Sequence, residues 1–526
     1  MSESHEGMMT IQWIVINLRF NSDMTLSIQH LAAVDLGSNS FRMLVGKAAE
    51  TTHGVQVYPL DSLREPVRLG AGLDANKNLT EESQQRALET LSRFGDRLRQ
   101  FHPERVRAVA TNAVRVAKNA PQFLARAQQA LGFPIEVIAG REEARLVYIG
   151  AAHSVAPAHG NRLVVDIGGG STEFIIGNGL EPRMMESLYV GCVSMSRDFF
   201  PAGLVDEQRM KSAELAARRE VQIIAGAFRK AGWTSAVGSS GTARALADIL
   251  VGNQLDPGGS SLGITRAGLR ELRRLYVRAG DLGRLRLVGL KPDRLPVAAG
   301  GLAIMLAVFE ELGLREMEVT DAGLRLGVLY DLLGRELQRD MRALTVQQFT
   351  QRYGVDTRQS ARVESLALTL LLQLAPHATS TEQQALRWSA ALHEIGLSIA
   401  HSAYHKHSAY IVANADMPGF SRSEQAAMAE TILCHGGKLK KLGGLDQLRV
   451  DLRALLALRL AVLLARNRRD VDLDGVRLHP GHDGVHGARI VVESRWLAGS
   501  PLTRYSLEQE VAEWGRAGVA LELQTV

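Results

Sequence analysis

An α/β fold of two related halves, followed by an all-helical segment and a small α+β tail, is what the sequence predicts. Three observations carry the prediction. One stretch occurs twice: Val34-Asp35-Leu36-Gly37-Ser38-Asn39-Ser40-Phe41-Arg42-Met43-Leu44-Val45-Gly46 returns as Val165-Asp166-Ile167-Gly168-Gly169-Gly170-Ser171-Thr172-Glu173-Phe174-Ile175-Ile176-Gly177, at an offset of 131 residues (Val34 to Val165). Short apolar runs alternate with helical periodicity up to about residue 337, the pattern of α/β units. Beyond it the chain reads as helix to about residue 470 and then as a turn-rich tail with strand-like runs at 488–493 and 519–523. The expected organisation is an extension over 1–30, domains over 31–147 and 148–337, a helical domain over 338–470 and a small α+β piece over 471–526.

Each copy of the repeat reads as a strand, a tight turn and a second strand. The Val, the Asp, the first Gly, the Ser and the last Gly coincide, and Asp35 and Asp166 fall where the first strand ends. The turns hold Ser38, Asn39 and Ser40 in one copy and Gly168, Gly169, Gly170 and Ser171 in the other. Small residues let backbone N–H groups converge on one anion, because glycine permits close approach. A single Asp-x-Gly-x-x-Ser is an ordinary hairpin turn, since Asp and Gly are default turn formers. Two copies in register over thirteen residues signal a duplication instead. Two such turns would grip a phosphate chain from both sides and leave an aspartate for a metal ion.

A chain of 526 residues suffices for three or four domains with full cores. An apolar share of 46% with 22% charged residues is that of an ordinary globular protein. A net charge of +5 and a pI of about 9.2 permit a polyanionic partner without demanding one, and no nucleic acid is expected. Two distant cysteines, Cys192 and Cys434, point to a reducing, cytoplasmic location. No run approaches the roughly 20 apolar residues of a membrane span, while peripheral membrane association is permitted. The apolar stretch 11–18 lacks the flanks of a signal peptide, and Met24 is an alternative start.

Along the chain, a buried strand at 106–110 runs into Thr111-Asn112-Ala113-Val114-Arg115, placing polar groups past a strand's C-terminal end, where open α/β sheets hold ligands. Arg115 has two readings there, a phosphate contact or a surface ion pair. The strand at 135–138 leads into Gly140-Arg141-Glu142-Glu143-Ala144-Arg145, a helix start. Acids in a first helical turn suit the helix dipole; alternatively, one of Glu142 and Glu143 faces the phosphate site as a base or water-positioning group. Val237-Gly238-Ser239-Ser240-Gly241-Thr242 is a third glycine-serine turn, and it opens a helix whose free N–H groups suit an anion. Gly238, Ser240, Gly241 and Thr242 are its candidate phosphate contacts.

These residues resemble the exopolyphosphatase / guanosine pentaphosphate phosphohydrolase family, part of the actin-like, sugar-kinase-like ATPase superfamily, from about residue 31 onward. The specific marks are 33–41, 140–146, 165–173, 238–242 and 321–327. The resemblance implies two actin-like (ribonuclease-H-like) domains with a phosphate cleft, then an all-α HD-like domain. It implies Glu143 as the catalytic carboxylate, Asp166 and Glu173 as acidic residues of a magnesium site, and Arg115 as an arginine of the site; Asp35, from the hairpin pattern, joins the metal set. It also implies a homodimer. HD phosphohydrolases hold metal through a His-Asp pair; here the pair is His393-Glu394, whose extra methylene displaces the oxygens, and no complete ligand set accompanies it. The stretch 401–410 resembles the exopolyphosphatase version of this domain. There His405, Lys406 and His407, with Lys438, Lys440 and Lys441, form either a basic passage for a long polyanion or ordinary surface.

The expected function is exopolyphosphatase: metal-assisted hydrolysis of the terminal phosphoanhydride of inorganic polyphosphate, releasing orthophosphate. Such a reaction needs charge stabilisation on the phosphoryl oxygens and an oriented water. The alternative is guanosine pentaphosphate phosphohydrolase (pppGpp to ppGpp), an activity of the stringent response that would share the same site. More distant are an actin-like ATP-binding kinase and a non-catalytic polyphosphate- or alarmone-binding regulator.

Overall fold

The computed structural model describes residues 29–51, 54–156, 159–255, 263–336, 340–439, 450–481 and 487–526. The alternative start at Met24 therefore lies outside the described residues.

Both copies of the repeat form antiparallel hairpins at the same place in two sheets. In the first sheet the order is β3-β2-β1-β4-β5, with β1 Gln29–Leu36, β2 Phe41–Thr51, β3 Gly54–Glu65, β4 Val106–Ala110 and β5 Ile135–Val137. In the second it is β10-β11-β9-β6-β7-β8, with β6 Asn161–Ile167, β7 Thr172–Asn178, β8 Glu181–Leu188, β9 Ser235–Ser239, β10 Gly263–Thr265 and β11 Glu316–Val319. The meander β1-β2-β3 and the parallel neighbour β4 match β6-β7-β8 and β9 in order and sense. The register break falls at Val45/Gly46 in one half and at Ile176/Gly177 in the other, which are equivalent positions of the repeat. A glycine at each absorbs the bulge where a side chain would meet a neighbour.

The central strands are buried along their length because helices cover both faces. Helices Glu81–Leu98 and Ala120–Leu131 cover one face of the first sheet through Leu91, Phe94, Phe123 and Ala127. The other face is covered from far along the chain: Val328, Leu329, Leu332 and Leu333, from helix Leu324–Glu336, pack on Leu31, Ala33 and Leu44. Helix Gly140–Ala152 does the converse. Its Ala144, Val147, Tyr148 and Ala151 pack on Val164, Ile175 and Val237 of the second sheet. The expected boundary at 147/148 therefore falls inside helix Gly140–Ala152 and does not separate two cores, because each half lends its closing helix to the other.

The two exchanged helices cross at glycines. A Cβ on Gly150 would lie 2.1 Å from the Gly323 carbonyl oxygen, and one on Gly327 would lie 1.8 Å from that of Leu146. Only hydrogen fits at that crossing.

The remainder is a helical domain with a three-stranded sheet, β12 Val476–Pro480, β13 Gly487–Val492 and β14 Ala520–Thr525, in the order β12-β13-β14. Its Leu478, Ile490 and Leu521 share one core with Leu370 and Leu371 of helix Thr357–Leu374 and with Leu455 and Leu458 of helix Leu452–Leu464. The piece expected at 471–526 thus belongs to the helical domain, because its strands have no core separate from that of the helices. Helix Leu295–Leu312 corrects the reading that no run approaches a membrane span. It has mean hydropathy 1.7 over 18 residues, but 67% of it is buried, in the core of the second half.

Gly327→Ala is expected to cost about 1–3 kcal/mol through overpacking of the helix crossing. Urea unfolding monitored by circular dichroism measures it; an unchanged midpoint would contradict the contact.

Candidate active site

The two hairpin turns face each other across a cleft enclosing about 830 Å³ of space open to solvent. Each turn is tightened by a glycine. A Cβ on Gly37 would lie 2.9 Å from the Ser40 carbonyl oxygen, and one on Gly168 would lie 3.0 Å from that of Ser171. The turns nearly touch, since a Cβ on Gly169 would lie 2.9 Å from that of Ser38 and 3.3 Å from the Asn39 nitrogen. Ser38, Asn39, Ser40, Gly168, Gly169, Gly170 and Ser171 all line the cleft, with Asp35 and Asp166 at its floor.

The third expected segment is there in part. Ser240, Gly241 and Thr242 line the cleft, but the Ser240 and Thr242 hydroxyls donate to the Ile167 carbonyl, at 3.1 and 3.0 Å. Those hydroxyls fasten the segment to the second hairpin. Gly238 does not line the cleft: it is a strand residue of β9, where a Cβ would lie 2.8 Å from that of Ala243 and 2.9 Å from the Met317 sulfur. Its small size serves packing between strand and helix.

Glu143 lines the cleft from the first turn of helix Gly140–Ala152. Its Oε2 accepts a hydrogen bond from Arg115 Nη1 at 3.0 Å, and the same Nη1 donates to the Ile138 carbonyl at 2.9 Å. Arg115 is outside the cleft lining, so its guanidinium holds Glu143 rather than reaching the open space. Glu173 also stands back. It faces Asp166 across the β6–β7 ladder, is buried, and accepts from Ser187 Oγ at 2.8 Å. The carboxylates on the cleft are thus Asp35, Asp166, Glu143 and Asp321.

Three arginines that the sequence reading did not single out complete the lining: Arg42, Arg294 and Arg325. Among the described residues none of their side chains makes an ion pair or hydrogen bond. Arg42 had a signal, because it pairs with Asp35 in the hairpin and shares its face. Arg325 opens the helix that follows the 321–323 turn, and Arg294 lies over Gly241, where a Cβ would come within 1.8 Å of its Nη2. No local pattern marks Arg294.

The candidate basic passage lies on the helical domain and not on the cleft lining. His405 and Lys406 stand in the first turn of helix Tyr404–Asn414 with His407 beside them, Lys406 and Lys438 are exposed, and Lys440 and Lys441 fall outside the described residues. His393 is fully buried with Nδ1 2.6 Å from the Ala390 carbonyl, and Glu394 accepts from Arg468 at 3.0 Å. Among the described residues no three His, Cys, Asp or Glu side chains converge on a metal position anywhere in the chain. A magnesium ion does not require three. It commonly takes one or two carboxylates, waters and substrate phosphates. Asp35 and Asp166 fit that mode, with Asp35 Oδ1 buried and without a partner.

A family model described as the Ppx/GppA phosphatase family matches residues 48–336, and one described as Ppx/GppA phosphatase, domain III, matches residues 341–511. The chain belongs to the Ppx/GppA phosphatase family. Among solved structures it is similar to an exopolyphosphatase from Cytophaga hutchinsonii, at 26% identity and a TM-score of 0.51, over 58% of this chain and 98% of that one. It is also similar to the Aquifex aeolicus Ppx/GppA family member, at 27% identity and a TM-score of 0.48, over 59% of this chain and 99% of that one. The two sheets are accordingly actin-like domains, followed by the family's helical domain III, and the expected fold class holds.

In this Ppx/GppA phosphatase, burial governs the charge of the site. It pushes Asp35 up to about 6, against the pull of Arg42 and Arg325. It pushes Glu143 up to about 7, against Arg115. Asp166 is raised by burial too, and Glu173 is held well above the carboxylate range by burial and by its neighbours Glu143 and Asp166. Arg294 and Arg325 are each lowered to about 10, by burial first and then by neighbouring arginines. A folded carboxyl with a raised pKa keeps a proton that the unfolded chain has lost. For Glu143 that stabilising contribution is full below about 4.5 and is lost as pH rises through about 7. Glu143→Gln is expected to flatten the decline in thermal stability of the metal-free protein between about pH 5 and pH 8. Identical slopes in the two proteins would show that Glu143 is already ionised at the lower pH.

Proposed function

We propose that this Ppx/GppA phosphatase is an exopolyphosphatase that removes the terminal phosphoryl group of inorganic polyphosphate. The observation that carries the reading is the pairing of Glu143, poised near neutrality, with a cleft walled by two anion-cradling turns and three unpaired arginines. Backbone N–H groups of 38–40 and 169–171 hold the terminal phosphoryl oxygens, while the Gly168 N–H closes the turn on the Ser171 carbonyl at 2.9 Å. Arg42, Arg294 and Arg325 hold the chain behind it. Asp35 and Asp166 would hold magnesium, which when bound offsets charge on the phosphoryl oxygens. Glu143 accepts a proton from the water that attacks the terminal phosphorus. The bond from that phosphorus to the bridging oxygen breaks, orthophosphate departs, and the shortened chain keeps the bridging oxygen as its new end.

Polyphosphate is favoured over guanosine pentaphosphate because, among the described residues lining the cleft, Val147, Ile167, Cys192 and Leu324 are the apolar ones and none is aromatic, a mostly polar and charged lining that suits a row of phosphates better than a purine. The magnesium ion, a homodimer and a cytoplasmic location belong to the same proposal.

Phosphate release from long-chain polyphosphate, with guanosine pentaphosphate as competitor, tests it. Glu143→Gln is expected to lower kcat by about 10²–10⁴-fold. Wild-type kcat/KM should rise with pH through about 7, as Glu143 loses its proton, and Arg115→Met should move that midpoint upward by removing the charge that lowers it. Arg325→Ala and Arg294→Ala should each raise KM for polyphosphate by about 10-fold, as a charge-assisted hydrogen bond is worth roughly 1.5–3 kcal/mol. Preference for the guanosine compound would replace the substrate, and release from neither would sink the hydrolase reading.

A further inference from the structure

Glu142 and Glu143 are neighbours on one helix turn but face opposite ways. Glu143 lines the cleft, while Glu142 is buried with Arg145 Nε at 2.8 Å and Arg145 Nη2 at 2.7 Å. With it, three arginines and two further carboxylates form a buried network. Arg107 bonds Asp331 at 2.7 Å and Glu136 at 3.0 Å; Asp331 also accepts from Arg145 and, at 3.2 Å, from Arg335. Asp331 and Arg335 stand on helix Leu324–Glu336, which begins at the cleft with Arg325.

Into this balanced set one turn of the helical domain inserts a peptide. Gly419 N–H donates to Glu142 Oε2 at 2.9 Å, and the Gly419 carbonyl accepts from Arg335 Nη2 at 3.2 Å. Just before it, Asp416 pairs with Arg141 at 2.8 Å, on the same helix turn as Glu143. The turn is itself rigid. Thr345 Oγ1 donates to the Pro418 carbonyl at 2.7 Å, and Gly419 has φ of 88°, with Arg342 N only 2.9 Å from where a Cβ would stand.

We infer that the 416–419 turn of the helical domain positions Glu143, with Gly419 and Arg335 acting through Glu142 on the helix turn that carries it. The inference rests on Glu143 as the base of the proposed reaction. The helical domain then sets the rate at a site whose cleft it does not line. A carboxylate displaced by about 1 Å loses on the order of 100-fold in rate.

The test uses the full-length protein as Gly419→Ala and as Arg335→Lys, which keeps the charge but not the forked donor. Each should lower kcat by about 10- to 100-fold with KM within about 2-fold. Each should also shift the pH midpoint of kcat, although Arg115, Asp35, Asp166 and Glu173, the groups facing Glu143, are unchanged. Hydrogen exchange of the metal-free protein provides an arm without activity: amides of 140–146 should exchange about 10-fold faster in both variants. A merely destabilising substitution would lower the melting temperature and leave the midpoint in place. Wild-type kcat and midpoint, or faster exchange confined to 416–419, would overturn the inference. If neither substrate is hydrolysed the reading of Glu143 fails, and exchange alone then decides whether the turn braces the helix. Should Gly419→Ala not fold, Arg335→Lys carries both arms.

Discussion

Charge withheld from water, and not fully cancelled within the protein, is the constraint on which the rest of the structure depends. A buried carboxylate or guanidinium is costly unless it is paired. In the cleft, Asp35 and Glu143 move toward the neutral form and Arg294 and Arg325 lose part of their proton affinity, all chiefly through burial. A phosphate chain would satisfy the arginines and a divalent cation the carboxylates. The scaffold's task is to keep these groups close while neither is present. It does so with tight turns, glycine contacts and a separate, balanced ion network behind the helix that carries Glu143.

Duplication accounts for the geometry, and divergence accounts for the chemistry. Both hairpins place an aspartate at the end of the first strand and a glycine at the bulge of the second. At one matched position they differ in sign: Arg42 lies across from Asp35, while Glu173 lies across from Asp166. A symmetric cradle has thereby become unequal, with a guanidinium set beside one aspartate and, beside the other, a carboxyl that burial and its acidic neighbours hold in the neutral form.

Much of this was legible because hairpins are local. Strand, turn and strand lie within thirteen residues, and their repetition exposed the two halves before any packing was known. What escaped depends on three-dimensional routes. Arg115 approaches the site but stops at Glu143; Glu173 shares a ladder pair with Asp166 yet turns to Ser187; Gly238 is small for the sake of Met317 and Ala243. Arg294 reaches Gly241 from a segment without a motif. The limit at 147/148 misled for a related reason, since hydrophobic periodicity says that a helix needs a partner but not which sheet supplies it.

The exchange of closing helices has a consequence for how the chain is made. The first sheet cannot complete the core containing Leu31, Ala33 and Leu44 until Val328 and Leu329 exist. Synthesis proceeds from the N-terminus at about 5–20 residues per second, so the strands wait roughly 10–40 s with an apolar face uncovered. Over that interval the nascent first half is a natural client for a chaperone, and it becomes a finished domain only when the second half is nearly complete.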